Sequence, residues 1–321
     1  MKLRSFNEWD VLKSISILLV VIGHVTILYK PNGSFPDLNN AWLSEATDII
    51  YLFHMPLFIT ISGAIYAIGY DKGKYSNILT LLNNKFKRLI VPYLVVSLCF
   101  LTPILLFLSM ESGGLQSWIN ILLGLECRHL WYLYALFEIF IIVRVLQYMN
   151  LSLSICMTLS IILSVVFTQI GGIHLFCLNM TIYYLPYFYL GIFLLKKKLH
   201  KQEFFFGFVL VLLLLFLIKF CDIFLIDSIL SLLLAGIIVT LIISAIRLVS
   251  VEAFFSIPYM DKILANSFGI YLFHVPIIYV IYHFYSKGYW IILLTIVASI
   301  VISLLMCVFL RKFKLQAIIG E

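Results

Sequence analysis

Trp9-Asp10-Val11-Leu12-Lys13, then Ser14 through Gly23, then His24, is a largely apolar run holding three ionisable side chains. Continued to Tyr29, it has the ~20 residues that carry a helix across a bilayer. Lys13 and His24 stand eleven positions apart. At about 100° and 1.5 Å per residue, they fall within about 20° of one helix face and about 16 Å apart along it. Ionisable groups at membrane depth are costly and turn toward protein or a water-filled cavity. A cation near one rim with an imidazole three turns deeper suits a long substrate, anionic head at the rim and reactive end at the base. The plainer reading is a snorkelling lysine and a histidine bonded to a neighbouring helix. The shared face favours the paired one.

The rest of the chain repeats the apolar theme. Its 321 residues are 63% hydrophobic and 12% charged, against roughly half and a quarter in soluble domains. That excludes a water-soluble globular protein, a disordered chain and a nucleic-acid binder. Apolar runs at about 11–29, 47–69, 89–109, 130–149, 151–168, 178–195, 203–220, 226–247, 264–285 and 289–310 predict ten transmembrane helices. The fold expected is an all-α polytopic membrane protein, one integral-membrane domain over 1–321 with no appended soluble domain. Long Phe/Tyr/Leu-rich runs argue against a β-barrel. Leu115–Leu125 is too short to span and reads as interfacial or re-entrant. With the N-terminus inside, 18 of the 22 basic residues fall on the cytoplasmic side, leaving Lys30, Arg128, Lys219 and Lys287 outside. This is the positive-inside bias, and an even number of spans puts both termini in the cytoplasm. The first apolar run ends in no signal-peptide cleavage site. The six cysteines are scattered without a CxxC pair, so neither a metal site nor a disulfide framework is expected. No inverted repeat, Walker sequence or dinucleotide fingerprint is found.

Four further stretches place polar groups among apolar ones. Phe53-His54-Met55-Pro56-Leu57-Phe58 precedes Ser62-Gly63; His54 is expected chiefly to satisfy the backbone that Pro56 opens. Lys85-Phe86-Lys87-Arg88 before Val91-Pro92-Tyr93 sets three cations at an interface, as anchors or as a phosphate clamp. Leu130-Trp131-Tyr132-Leu133 leads to Glu138, the acidic residue set deepest in a span, able to orient an imidazolium or a hydroxyl, or to serve as half of an ion pair. Ser267-Phe268-Gly269-Ile270-Tyr271-Leu272-Phe273-His274-Val275-Pro276 repeats the His-x-Pro pattern. His129, His174, His200 and His283 read as surface residues.

Together these stretches resemble the membrane-bound acyltransferase-3 family, from about Arg4 to Leu310. The most specific likenesses are basic-x10-His (Lys13 to His24) with Asp10 ahead of it, Phe-His-Met-Pro-Leu-Phe with Ser-Gly, and basic-x-x-Arg with Val-Pro-Tyr (Lys85, Arg88, Pro92, Tyr93). Leu-Trp-Tyr-Leu and Ile-Tyr-Leu-Phe-His follow in the expected order. The family often has Arg where this chain has Lys13, so charge is kept and the bidentate fork is lost.

The resemblance implies transfer of an acyl group, usually acetyl, from cytosolic acyl-CoA to a hydroxyl of a cell-surface or periplasmic glycan or glycolipid. It implies a multi-pass protein of the bacterial cytoplasmic (inner) membrane. Acetyl-CoA enters as co-substrate, and no tightly bound cofactor or metal is expected. His24 is the expected catalytic residue, as general base or acyl carrier, with Asp10 and Glu138 orienting or balancing charge. Lys13, Lys85 and Arg88 are expected along the donor path, and His54, Ser62, Trp131, Tyr271 and His274 around the substrates. A transporter or flippase exporting a glycan or small anion is the competing expectation. Missing repeat symmetry and cations gathered on one face count against it.

Overall fold

The computed structural model describes residues 6–31, 35, 38–75, 77–111, 114–171, 173–197, 201–220, 224–285 and 288–321. Lys2, Arg4, Lys198, His200, Cys221 and Lys287 lie outside them. The first helix, α1 (Glu8–Thr26), begins at a capping box: the Asn7 side chain accepts from the Trp9 and Asp10 amides, and the Asp10 carboxylate accepts from the Asn7 amide. It runs unbroken through both Lys13 and His24. Next come α2 (Ala41–Asp71), α3 (Ile78–Lys85), α4 (Val91–Val96) and α5 (Thr102–Phe107). The last three form one rod, joined by π-helical turns at Phe86–Ile90 and Ser97–Leu101. Pro92 and Pro103 have no N–H to return to the carbonyl four residues back, which accounts for the widened turns before them.

A short helix, α6 (Leu115–Leu122), fulfils the expectation of a non-spanning segment. Then follow α7 (Trp131–Tyr148), α8 (Leu153–Gln169), α9 (Leu178–Lys196), α10 (Lys201–Phe220), α11 (Phe224–Ile246), α12 (Val251–Phe255), α13 (Met260–Ala265), α14 (Ser267–Phe284) and α15 (Trp290–Lys312). No strand occurs among the described residues. Eight described helical stretches are long and apolar enough to cross a membrane. The two other expected crossings are shorter apolar helices, Leu153–Gln169 and the described stretch Gln202–Leu217. Seventeen residues rise about 25 Å, a little less than the ~30 Å hydrocarbon core.

The protein is an all-α polytopic membrane protein, arranged as an inner group of helices within an outer one. Two-thirds of the apolar window of α14 is buried, but only 28% of that of α15 and of α11. Outward faces of α8, α10 and α15 carry exposed Leu, Ile, Val and Phe, as lipid-facing helices do. At the centre α2 and α9 meet backbone to backbone. A Cβ on Gly63 would strike the Phe188 carbonyl, and one on Gly191 the Thr60 carbonyl. Small residues at a crossing permit this approach.

Candidate functional site

Two of the cavities among the described residues take in residues singled out in the sequence, one toward each end of the bundle. The first, about 180 Å³, is lined by Lys13, Lys85 and Arg88 together with Ser62, Tyr132 and Tyr271. Chain direction explains the gathering. The starts of α1 and α14, the later part of α2 and the first half of α7 meet here, beside the π turn that carries Arg88. Lys85 lies 3.8 Å over the Phe140 ring and 5.6 Å over that of Tyr75, contacts that hold an ammonium without neutralising it. The floor is aromatic: Phe58, Tyr132 and Tyr271 have ring centres 5.3, 5.5 and 6.4 Å apart. The Tyr132 and Ser62 hydroxyls are 2.7 Å apart, and Tyr271 donates to the backbone carbonyl of His129.

Beyond that floor lies the second cavity, about 440 Å³, lined by His24, His129, Arg128, Glu111, Tyr51 and Trp131 among others. His24, half-buried, makes two contacts through Nδ1: 2.9 Å to the Val20 carbonyl and 3.2 Å to His274 Nε2. A carbonyl only accepts, so Nδ1 must carry the hydrogen, and in the neutral ring Nε2 holds the lone pair. His274 is fixed alike, its Nδ1 lying 2.9 Å from the Ile270 carbonyl, which leaves Nε2 to accept from His24. The arrangement is a base supported by an acceptor behind it, with the second imidazole where serine hydrolases use a carboxylate.

His54 bonds the Ile50 carbonyl at 2.8 Å. The carbonyl that Pro56 releases belongs to Leu52, so the expected backbone repair by His54 is not what the structure places there. Pro276 does open a carbonyl that is used: Leu272 O lies 3.3 Å from His129 Nε2. His129 is thereby a correction to the sequence reading. It is 7% exposed, not a surface residue, whereas His174 and His283 are exposed. Its neighbourhood explains the burial. A disulfide joins Cys127 to Cys177, where no disulfide framework was expected, and ties the turn ahead of α7 to the one ahead of α9. Gly124, at φ +65°, lets the Phe176 backbone pass so closely that a Cβ would lie 2.8 Å from its Cα. Adjacent Arg128 pairs with Glu111 and reaches Thr102 Oγ1 at 3.4 Å. No short-range pattern marks His129; the usable signals were an Arg-His pair just before a span and a proline in α14.

Two expected site residues stand apart. Asp10 belongs to the cap of α1, fourteen residues before His24. Glu138 faces α9, accepting from Thr181 Oγ1 at 2.6 Å, and lines neither cavity. Trp131 lines the second cavity and stacks on Tyr184 at 4.8 Å. Among the described residues no group of three or more His, Cys, Asp or Glu is disposed to hold a metal ion. Outside the spans, the Arg311 guanidinium holds the Glu321 carboxyl below its usual range through a hydrogen bond.

The acyltransferase-3 family profile, described as an acyltransferase domain, matches residues 6–312. Two proteins called nodulation protein NolL are similar over shorter stretches. That of Mesorhizobium japonicum is 31% identical over 153 residues, 44% of this chain and 36% of its own length. That of Sinorhizobium fredii is 44% identical over 57 residues, 17% of this chain and 14% of its own. The matched stretches thus span little more than a third of these relatives at most. No solved structure matches the chain.

Proposed function

We propose that this chain, which belongs to the acyltransferase-3 family, moves an acyl group, acetyl in the simplest case, from acyl-CoA to a hydroxyl of a glycan or glycolipid. One observation carries the reading: a cationic cavity lies toward one end of the bundle and, toward the other, a cavity lined by His24, whose Nδ1 meets His274. The cationic end faces the cytosol, as the basic residues favour, in a bacterial cytoplasmic membrane. There Lys13, Lys85 and Arg88 take the phosphates of CoA. The pantetheine arm runs past the Phe58–Tyr132–Tyr271 floor, and the thioester arrives beside His24. The roughly 16 Å between the levels of Lys13 and His24 suits a donor with a long arm between its charge and its reactive carbon.

Nε2 of neutral His24 takes the hydroxyl proton as the acceptor oxygen attacks the thioester carbon. Its Nδ1–H stays bonded to Val20 and His274, which stabilise the imidazolium so formed. Collapse of the tetrahedral species breaks the carbon–sulfur bond, and the thiolate leaves with the proton from Nε2. Ester and free CoA thiol are the products, and the ring is neutral again.

The test is release of CoA thiol from acetyl-CoA by the purified protein in lipid nanodiscs, with cell-envelope glycan as acceptor. His24→Ala is expected to lower the rate by about 10²–10⁴, the usual worth of a general base. Normal turnover by that variant removes His24 from the chemistry. Absence of thioester consumption by the wild type while glycan crosses proteoliposomes favours the transporter. An acetyl-histidine recovered after acid quench in the absence of acceptor replaces direct transfer with a relay through the ring.

A further inference from the structure

A third cavity, about 570 Å³, lies between α8, α9, α10 and α11 and shares no lining residue with the other two. It exists because α10 packs chiefly on α11 and stands off from α8 and α9. Its walls are apolar, with Ile161 of α8, Leu190 of α9, Phe206 and Leu210 of α10, and Ile237 and Leu241 of α11. The hydroxyls in those walls are satisfied within the protein. Tyr187 donates to the Leu232 carbonyl at 3.2 Å, and Thr240 to the Gly236 carbonyl at 2.8 Å. Phe206 lines the cavity while 69% exposed, so the space opens sideways, where lipid stands.

Dimensions select the occupant. The lining runs from Gln202 to Leu210 along α10 and from Leu232 to Leu241 along α11, a rise of roughly 12–14 Å at about 1.5 Å per residue. That is close to one leaflet's half of the ~30 Å hydrocarbon core. A helix about 10–12 Å across would need on the order of 1,000 Å³ over that length, so the space is too small for a helix of another chain. A single acyl chain fits it. Charge is confined to one end, where Gln202 and Glu203 in the first turn of α10 line the cavity. There Glu203 pairs with Lys197 at 3.4 Å, the two side chains 40% and 49% exposed, and Lys196 is exposed beside them. An exposed pair of this kind is worth little and gives way to a ligand that carries both charges. We infer that this cavity holds one acyl chain of a phospholipid whose head bears a phosphate and an ammonium, as phosphatidylethanolamine does. The phosphate lies at Lys197 and the ammonium at Glu203. A purely anionic head would set like charge against the Glu203 carboxylate. The inference does not depend on acyl transfer.

Photolabelling locates the lipid directly. The purified full-length protein in detergent is irradiated with a phosphatidylethanolamine carrying a diazirine midway along one acyl chain, and the labelled peptides are mapped by mass spectrometry. Label is expected around the cavity, on residues such as Leu210 and Ile237, and should saturate at one lipid per protein. Unlabelled phosphatidylethanolamine should compete about fivefold better than phosphatidylglycerol with the same chains, as much as one exposed charge contact supports. A Cβ on Gly236 would meet nothing nearer than the cavity walls Leu190, at 3.9 Å, and Tyr187, at 4.0 Å. Gly236→Leu therefore fills the space and should abolish this label while sparing any on the outer face of α15. Lys197→Gln combined with Glu203→Gln should keep the label and erase the head-group preference. Label spread evenly over α8, α10 and α15, equal competition by phosphatidylglycerol, or unchanged labelling of Gly236→Leu overturns the assignment. Chain length on the wild type decides the matter even where that variant fails to fold. Dihexanoyl phosphatidylethanolamine, whose chains stop well short of the far end, should compete at least about tenfold worse than the dipalmitoyl lipid, since each buried methylene is worth about 0.8 kcal/mol. Equal competition by the two overturns the site.

Discussion

In three of these histidines the chain itself selects the tautomer. His24, His54 and His274 each turn Nδ1 to the carbonyl four residues earlier on their own helix, at 2.8–2.9 Å. A helical histidine bonded in this way keeps Nε2 as its lone pair whatever surrounds it. His129 obtains the opposite tautomer from a carbonyl on another helix, one that Pro276 leaves without its usual partner. The consequence is sharpest at His274, whose Nε2 is an acceptor aimed at His24 Nδ1. In the proposed reaction His24 would become an imidazolium in the transition state, and that contact would turn charge-assisted and strengthen. His274→Ala is therefore expected to lower kcat about tenfold while leaving KM for acetyl-CoA near its wild-type value. His274→Gln, which restores an acceptor oxygen, should recover part of the loss. Steady-state CoA release separates the two constants, and a change confined to KM would remove His274 from its supporting role.

At the scale of elements the crossing of α2 and α9 fixes where both cavities lie, because α2 carries Ser62 and Phe58 into one and Tyr51 into the other. Gly63 and Gly191 permit it. Gly63→Ala or Gly191→Ala drives a methyl into a backbone carbonyl, an overpacking expected to cost about 1–3 kcal/mol. Gly236, within α11, is the control: a Cβ there meets its nearest neighbour at an ordinary 3.9 Å, so Gly236→Ala should be neutral or stabilising. Thermal unfolding in detergent checks all three, and equal melting points would refute the crossing as drawn. The long spans and α6 were readable in the sequence because hydropathy is a local property, and the Lys13–His24 face because helical angle is arithmetic. His129 was not readable. It precedes the apolar run that became α7, where an interface is the natural reading, and the groups around it are distant in sequence: the Cys177 end of the disulfide, the Leu272 carbonyl and the rings of His24, Tyr271 and His274. For Glu138 the converse holds: its place within the apolar run was readable, but its partner, Thr181 of α9, lies across the bundle and far along the chain.

For the whole molecule the central property is sidedness. In the proposed reaction a donor whose phosphates stop at Lys13, Lys85 and Arg88 would enter from one face only, whereas the His24-lined cavity lies toward the other end. Sealed membrane vesicles of the two orientations therefore distinguish the ends. Inverted vesicles, cytoplasmic face outward, should consume added acetyl-CoA at once, and right-side-out vesicles only after permeabilisation. A soluble glycan acceptor should show the opposite preference. Equal use of acetyl-CoA by both kinds of vesicle would contradict the division of the bundle into a donor end and an acceptor end. On the proposed reading, charge at the donor end would set affinity rather than chemistry. Arg88→Glu replaces an attraction to phosphate with a repulsion and is expected to raise KM for acetyl-CoA by about tenfold or more, with a much smaller effect on kcat. Because both the Arg88 guanidinium and the phosphates it would meet lie toward water, added salt should narrow the gap between the variant and the wild type. A fall in kcat with KM unchanged, insensitive to salt, would instead assign Arg88 to holding the π turn at Phe86–Ile90 and take it out of the donor site.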